Sequence, residues 1–394
     1  MTALEEGVFF FTRQTGILSA LSVACGAGSR TETAMDGESL SDRTVFDLAS
    51  VTKLFTGLSA MKLKEEGALD FGKPVAFYEP RFTGLREVTV GQLMGFAVSL
   101  QTEGRVDACG SREEARDCLF GIHSAGPSGP RAYSDMPAMV LKYVLEAVGG
   151  MPLDGLVRRL ILEKAGMTET WARVPEVRKK DCMCYDHEFR IENGREIFRE
   201  GPEPGVPHDP KAALLQGNSG DLCGHAGLFS TRGDLIRFCR AVLAGRIVGE
   251  KSLREMALNR TGRKMPDGSW SQFLGYQCYV RHPQQYYSEI PVYMGARAIG
   301  IAGFTGNHLS LDPERNLFVI FLGNRVKDRL TVLIPEKGKT LMDYGLAEDG
   351  QGSVCRPDGK TVLSSVHYVH QKDAHLHAAV AKTLGLREVP FYLS

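Results

Sequence analysis

Apolar positions change period several times along the chain. At the start, "GVFFFTRQTGILSALSVACGAG" carries two apolar runs rich in β-formers on either side of "RQTG", which predicts a hairpin and places strands first. Past Ser50, Leu54, Leu58, Met61 and Leu63 recur at helical spacing before "KEEGALD", predicting an amphipathic helix ended by Gly67. From about 85 to 170 the pattern stays helical in "TVGQLMGF", "SREEARDCLFGI", "MPAMVLKYVLEAVGG" and "LDGLVRRLILEKAG", with Gly and Pro between. Residues 171 to 222 are polar and rich in Pro, Gly and charge, so a long irregular connection of the kind that borders sites is expected there. Helices resume at "TRGDLIRFCRAVLAG" and "EKSLREMALN". Short β-rich runs then return in "SQFLGYQCYVRH", "PVYMGARAIGIAG", "NHLSLDP" and "NLFVIFLGNRV", the last two forming a hairpin about "DPERN". The tail adds a hairpin about "PDG" and a final helix in "KDAHLHAAVAKTLG".

Strands at both ends enclosing helices predict an α/β (α+β) fold: an antiparallel sheet flanked by helices, built from both termini, with an inserted all-helical domain. The expected boundaries are 1–68 with 224–394 for the α/β domain and 69–223 for the mainly helical insert. With 394 residues, 43% hydrophobic, the chain can bury a large core. Its 47 basic and 47 acidic side chains cancel, which removes the electrostatic case for nucleic acid or an anionic membrane and leaves a small molecule as the expected partner. The acidic N-terminus "MTALEEGVFFFTRQTG" lacks the basic start and apolar length of a secretory leader, so a cytoplasmic protein is expected. Nine cysteines scattered from Cys25 to Cys355 fit reduced thiols better than a disulfide framework.

The candidate chemistry begins at "FDLASVTKLF", where Ser50 and Lys53 stand three residues apart. On a helix these positions share a face, so an amine can reach the hydroxyl. The helix N-terminus favours an alkoxide and lowers the lysine pKa, and a desolvated lysine can serve as general base. A Ser-x-x-Lys tetrapeptide is frequent by chance, so its company decides.

That company is four blocks in order: "FDLASVTKLFTGLSAMKLKEEGALDFGKPVAFYEPRF", "PRAYSDMPAMVLKYVLEAVGGMPLDGLVRRLILEKAGMTET", "VPHDPKAALLQGNSGDLCGHAGLFSTRGDLIRF" and "GFTGNHLSLDPERNLFVIFLGNRV". From about Thr44 to Val326 the chain resembles the serine β-lactamase and penicillin-binding protein-like superfamily, in its class C β-lactamase, esterase and D-alanyl-D-alanine peptidase-like branch. The resemblance implies the two-part fold already outlined, with Ser50 as acyl-forming nucleophile, Lys53 as its base and Tyr133 as proton relay. A phenol beside an ammonium is expected to have a depressed pKa. Asp135 stands where the family's Tyr-x-Asn motif has Asn; when ionised it accepts but cannot donate hydrogen bonds. Read instead as "SDM", the same residues are a damaged Ser-Asp-Asn of the class A branch, but the flanking text favours the tyrosine reading. The third motif, Lys-Thr-Gly or His-Thr-Gly, falls at Ile301, Ala302 and Gly303, where the basic and hydroxyl residues are gone. The N–H groups of Ser50 and Phe304 would form the oxyanion hole. "LMGFAVSL" also departs from the family's "LLTHTSGL", with Phe96 for its histidine and Ser99 for its glycine.

The expectation is a serine hydrolase working through an acyl-enzyme on Ser50, an esterase or amidase on a small neutral or hydrophobic acyl substrate. The alternatives are β-lactamase or D-alanyl peptidase activity, or a binding or scaffold protein that has lost efficient catalysis. His225, and His208 with Asp209, match recurrent family text and are expected to be structural, the latter two shaping the loop over the cleft. Cys182, Cys184 and His187, like His367, His370, His375 and His377, lack the paired spacing of a zinc site, so neither metal nor cofactor is assigned. Residues 327–394 lie outside the resemblance. Their hairpin and helix are expected to complete the sheet layer, the helix replacing one that the short N-terminus lacks.

Overall fold

A computed structural model describes residues 1–217, 219–283, 289–348, 352–356 and 358–387. Its opening residues overturn the expected hairpin. Ala3–Phe9 is an α-helix, prolonged by a π-helical turn at Phe10–Gln14. A reciprocal cap starts it: the Thr2 hydroxyl accepts the Glu5 N–H while the Glu5 carboxylate accepts the Thr2 N–H. Leu4, Val8 and Phe11 then share one face and are buried against the sheet.

The main sheet has six antiparallel strands, in the order Tyr279–Val280, Ile299–Ala302, His308–Asp312, Leu317–Asn324, Ala20–Ala27 and Arg30–Gly37. It is built from both ends of the chain, as the pattern predicts. Leu317–Asn324 is buried at every position, which explains its unbroken apolar run: both faces of the sheet are covered. One face packs on the core that includes Phe55, Leu58 and Phe238. On the other lie the N-terminal helix and the final helix His377–Leu384. These two helices pack on each other so closely that a Cβ on Gly7 would lie 2.7 Å from the Ala379 Cβ. The last helix therefore partners an N-terminal helix rather than replacing one.

Thr52–Glu65 is less amphipathic than its pattern suggests, with Thr52 through Met61 all buried. It runs between the sheet and the helices Met136–Gly149 and Leu153–Val157. Gly67, at φ +74°, follows its end.

The 171–222 stretch is more ordered than expected. Glu188–Glu192 and Arg195–Arg199 form a hairpin about Asn193-Gly194, both with positive φ, the turn chemistry that "ENGRE" signals. Leu330–Ile334 runs parallel beside it. Pro210–Leu215 is a short helix capped by Asp209. The tail hairpin forms, as Ser353–Cys355 paired with Thr361–Leu363, although Pro357 lies outside the described residues. It joins Ala347–Glu348 in a separate sheet and does not extend the main one. Its Val354 packs with Ile191, Leu330 and Leu346 in a satellite core. All nine cysteines are unpaired. Among the described residues no helix is long and apolar enough to cross a membrane.

Candidate active site

Ser50 lies in a single 3₁₀ turn, Ala49–Val51, between the short strand Phe46–Asp47 and the helix Thr52–Glu65. Ala49 has φ +47°, a left-handed conformation that an alanine adopts only when its surroundings impose it. Asp47 imposes it. One carboxylate oxygen accepts the Ala49 N–H at 2.9 Å and the other the His208 N–H at 2.7 Å. The Asp47 carbonyl accepts the Thr305 hydroxyl at 3.0 Å and the Asn307 amide at 2.7 Å. Gly303 completes the fit, since a Cβ there would come within 2.7 Å of the Leu48 carbonyl oxygen. The turn bearing Ser50 is thus fixed from the 208 loop and from the turn after Ile299–Ala302.

The Lys53 side chain has no solvent exposure, and its Nζ lies 2.9 Å from Ser50 Oγ. It also donates to Asp135 Oδ1 at 2.6 Å and to the His225 carbonyl at 3.3 Å. Burial pulls the ammonium down, but Asp135 and Tyr133 outweigh it and hold its pKa above the ordinary lysine value. The expected lowering is reversed: the resting Lys53 is a cation. The reason is Asp135, an ionised counter-charge where an Asn would have been neutral.

Tyr133 approaches the same pair. The Lys53 ammonium sits 4.9 Å from its ring centroid, and the ring stacks on Phe96 at 5.5 Å and on Tyr279 at 5.3 Å. Gln272 fixes its backbone by accepting the N–H at 2.8 Å. Among the described residues its buried hydroxyl has no hydrogen-bond partner of normal geometry. Burial, joined by the Asp135 charge, raises the phenol pKa by more than Lys53 and Ser50 lower it, so the expected depression is also overturned. Phe96, in place of a histidine, contributes an aromatic face.

Asp135 has a second cation that the motifs did not reveal. Lys211 Nζ lies 3.1 Å from Asp135 Oδ2 and 3.1 Å from Asp209 Oδ2, and Asp209 Oδ1 meets His225 Nε2 at 2.9 Å. Only the text "HDPKAA" carries it, and no motif singles out Lys211. Asp209 does more than shape a loop, since it links Lys211 to His225. Asp135, Asp209 and His225 each offer a ligand atom within 4.8 Å of the others, but both carboxylates already face ammonium groups, so a metal cation fits poorly.

The third-motif residues come to the same place but bring different groups. Ile301 is fully buried and pairs with Leu309, while Ala302 pairs with His308. Phe304 is partly exposed and stacks on His208 at 5.7 Å, with the Arg325 guanidinium 5.3 Å from its ring. Among the described residues, neither the Ser50 nor the Phe304 N–H donates a backbone hydrogen bond. Ser99 sits in the separate strand Val98–Gln101. In the two Cys and His clusters, Cys184 bonds Asp186, His187 pairs with Asp328, His367 with Glu348, and His377 with Tyr293.

The β-lactamase family model matches residues 19–337. A curated relative, a putative D-alanyl-D-alanine carboxypeptidase of Escherichia coli (strain K12), is 25% identical over 327 residues, covering 77% of this chain and 73% of that protein. Among solved structures, the chain is similar to EstCE1, a hydrolase with promiscuous acyltransferase activity, with TM-score 0.66, 16% identity, and 95% and 98% of the two chains covered. It is also similar to a class C β-lactamase, with TM-score 0.60, 14% identity, and 82% and 92% covered.

Proposed function

The chain belongs to the β-lactamase family of serine hydrolases, and on that premise we propose that it forms a covalent acyl-enzyme on Ser50 from a small ester or amide with a neutral or hydrophobic acyl group. The observation that carries this reading is the buried Lys53 amine 2.9 Å from the Ser50 hydroxyl. Lys53 gives up a proton to solvent water before it can accept the one from Ser50. The Oγ then bonds to the acyl carbon, and the carbonyl oxygen becomes an oxyanion facing the uncommitted N–H groups of Ser50 and Phe304. The proton taken by Lys53 passes, by way of the Tyr133 hydroxyl, to the departing alkoxide or amine as its bond to the acyl carbon breaks. Water then attacks the ester, restoring Ser50 and releasing the acid. Ile301 and Ala302 favour an uncharged acyl group because they present neither cation nor hydroxyl to a carboxylate.

Intact-mass measurement after incubation with p-nitrophenyl acetate tests the reading. One acetyl adduct is expected on the wild type and none on Ser50→Ala; an equal adduct on both, or none on the wild type, would leave the chain a binding protein. The name of the Escherichia coli relative keeps D-alanyl-peptide cleavage as a second reading. Turnover of a D-alanyl-D-alanine peptide by the wild type, faster than that of simple esters, would favour it.

A further inference from the structure

We infer that Lys211 is a positioning residue for Lys53, acting through Asp135 to set how firmly the lysine beside Ser50 is held. The inference rests on the acyl-enzyme reading above. Starting at Lys53 Nζ, hydrogen-bonded contacts of 2.6 Å to Asp135, 3.1 Å to Lys211, 3.1 Å to Asp209 and 2.9 Å to His225 follow one another. The His225 carbonyl then returns to Lys53 Nζ at 3.3 Å. The five residues close a ring, and along Lys53, Asp135, Lys211 and Asp209 cation and carboxylate alternate. Lys211 is anchored in it by its backbone, since its N–H and that of Ala212 both donate to Asp209 Oδ1 at 3.0 Å. It is largely buried, with its side chain 19% exposed.

Alternation gives each member a signed effect on Lys53. Asp135 brings two ammonium groups close together, and each repels the other. Remove the Lys211 charge and that repulsion is gone, so Lys53 keeps its proton to higher pH. Replace Asp135 by Asn and Lys53 loses its counter-charge, so burial pulls its proton affinity down. The groups facing Lys53 are the Ser50 hydroxyl, the Tyr133 phenol, the Asp135 carboxylate and the His225 carbonyl. Those facing Asp135 are Lys53, Lys211, His225 and Asp209. Lys211 can be neutralised without removing a contact to Lys53 or the Asp209 cap of Pro210–Leu215. A residue that merely tied the 210 helix to the cleft would change the rate at every pH alike.

The test is the rate of Ser50 acetylation by p-nitrophenyl acetate, read by intact mass on the full chain after brief rapid-mixing jumps from about pH 7 to about pH 12, a range that reaches above the ordinary lysine value. Lys211→Met is expected to move the alkaline rise upward by about one unit, and Asp135→Asn to move it downward by about as much. Lys211→Arg should restore the wild-type midpoint. Coincident midpoints for all four proteins, with only the plateau changed, would overturn the inference. If Lys211→Met gives no folded protein, Asp135→Asn decides: a midpoint that fails to fall overturns it. Failure of the acyl-enzyme reading looks different, since the wild type would then carry no adduct at any pH, and the inference would fall with it.

Discussion

Lys53 and Lys372 are both shut away from solvent, with 0% and 1% of their side chains exposed, and each sits against carboxylates. Lys53 has Asp135 at 2.6 Å, and besides the His225 carbonyl at 3.3 Å it reaches a hydroxyl, Ser50 Oγ. Lys372 has Glu289 and Asp373, each at 3.1 Å, and Glu289 continues to His308 at 3.4 Å. Nearby, His377 accepts or donates to the Tyr293 hydroxyl at 2.9 Å. That second cluster fills the space between the sheet and the last helix, and burial lowers the pKa of both His308 and His377, keeping them neutral. Burying a charge costs several kcal/mol in either place. In one the paired ammonium abuts a residue able to form a bond to carbon; in the other it holds a helix to a sheet. A buried ion pair says nothing of function until the third neighbour is named.

Replacing one lysine at a time breaks the comparison most sharply. Lys53→Met should slow Ser50 acylation by about 10³-fold, within the range for losing a general base. It should cost little stability in urea unfolding, because Asp135 retains Lys211. Lys372→Met should do the opposite, removing about 3–5 kcal/mol of unfolding free energy by leaving Glu289 short of its cation. The acylation rate per folded molecule should stay within about twofold, a difference of about 0.4 kcal/mol. Equal losses of stability in the two variants would erase the distinction. The smaller effect is with pH. Burial pushes Glu289 up, but Lys372 and His308 outweigh it and bring its pKa down to about 2 from 4.5. A carboxyl lowered on folding contributes stability above its ordinary value and loses it as pH falls through the folded one. Melting temperature should therefore drop between about pH 4.5 and about pH 2, and Glu289→Gln should make that acid limb shallower.

What the chain revealed to reading alone follows the range over which each signal acts. Ser50, Lys53, Tyr133 and Gly303 were legible as motif text, and the sheet's strands as short apolar runs. The proton affinities of Lys53 and Tyr133 were not, since they depend on Asp135 lying 2.6 Å from Lys53 and on burial that no local pattern encodes. The N-terminal helix was missed because "VFFF" outweighed a capping pair, Thr2 and Glu5, three residues apart. The Asn193-Gly194 turn was legible and passed over in a stretch taken as loop. Lys211 was hidden for a different reason: its partner Asp135 is distant in sequence, and a lone lysine on a short helix reads as solvated.

The sheet's long-range pairing also bears on biosynthesis. Ser19 and Asn324 are hydrogen-bonded across 305 positions, beside the pairing of Ala20–Ala27 with Leu317–Asn324. At roughly 5–20 residues per second, a ribosome needs roughly 15–60 s to deliver the second strand after the first. Throughout that interval the emerging polypeptide carries an apolar strand with one flank vacant, an invitation to chaperones and to aggregation alike. Ribosome-stalled chains ending before Leu317 should be bound by holdase chaperones, and chains extended past Val326 should be released.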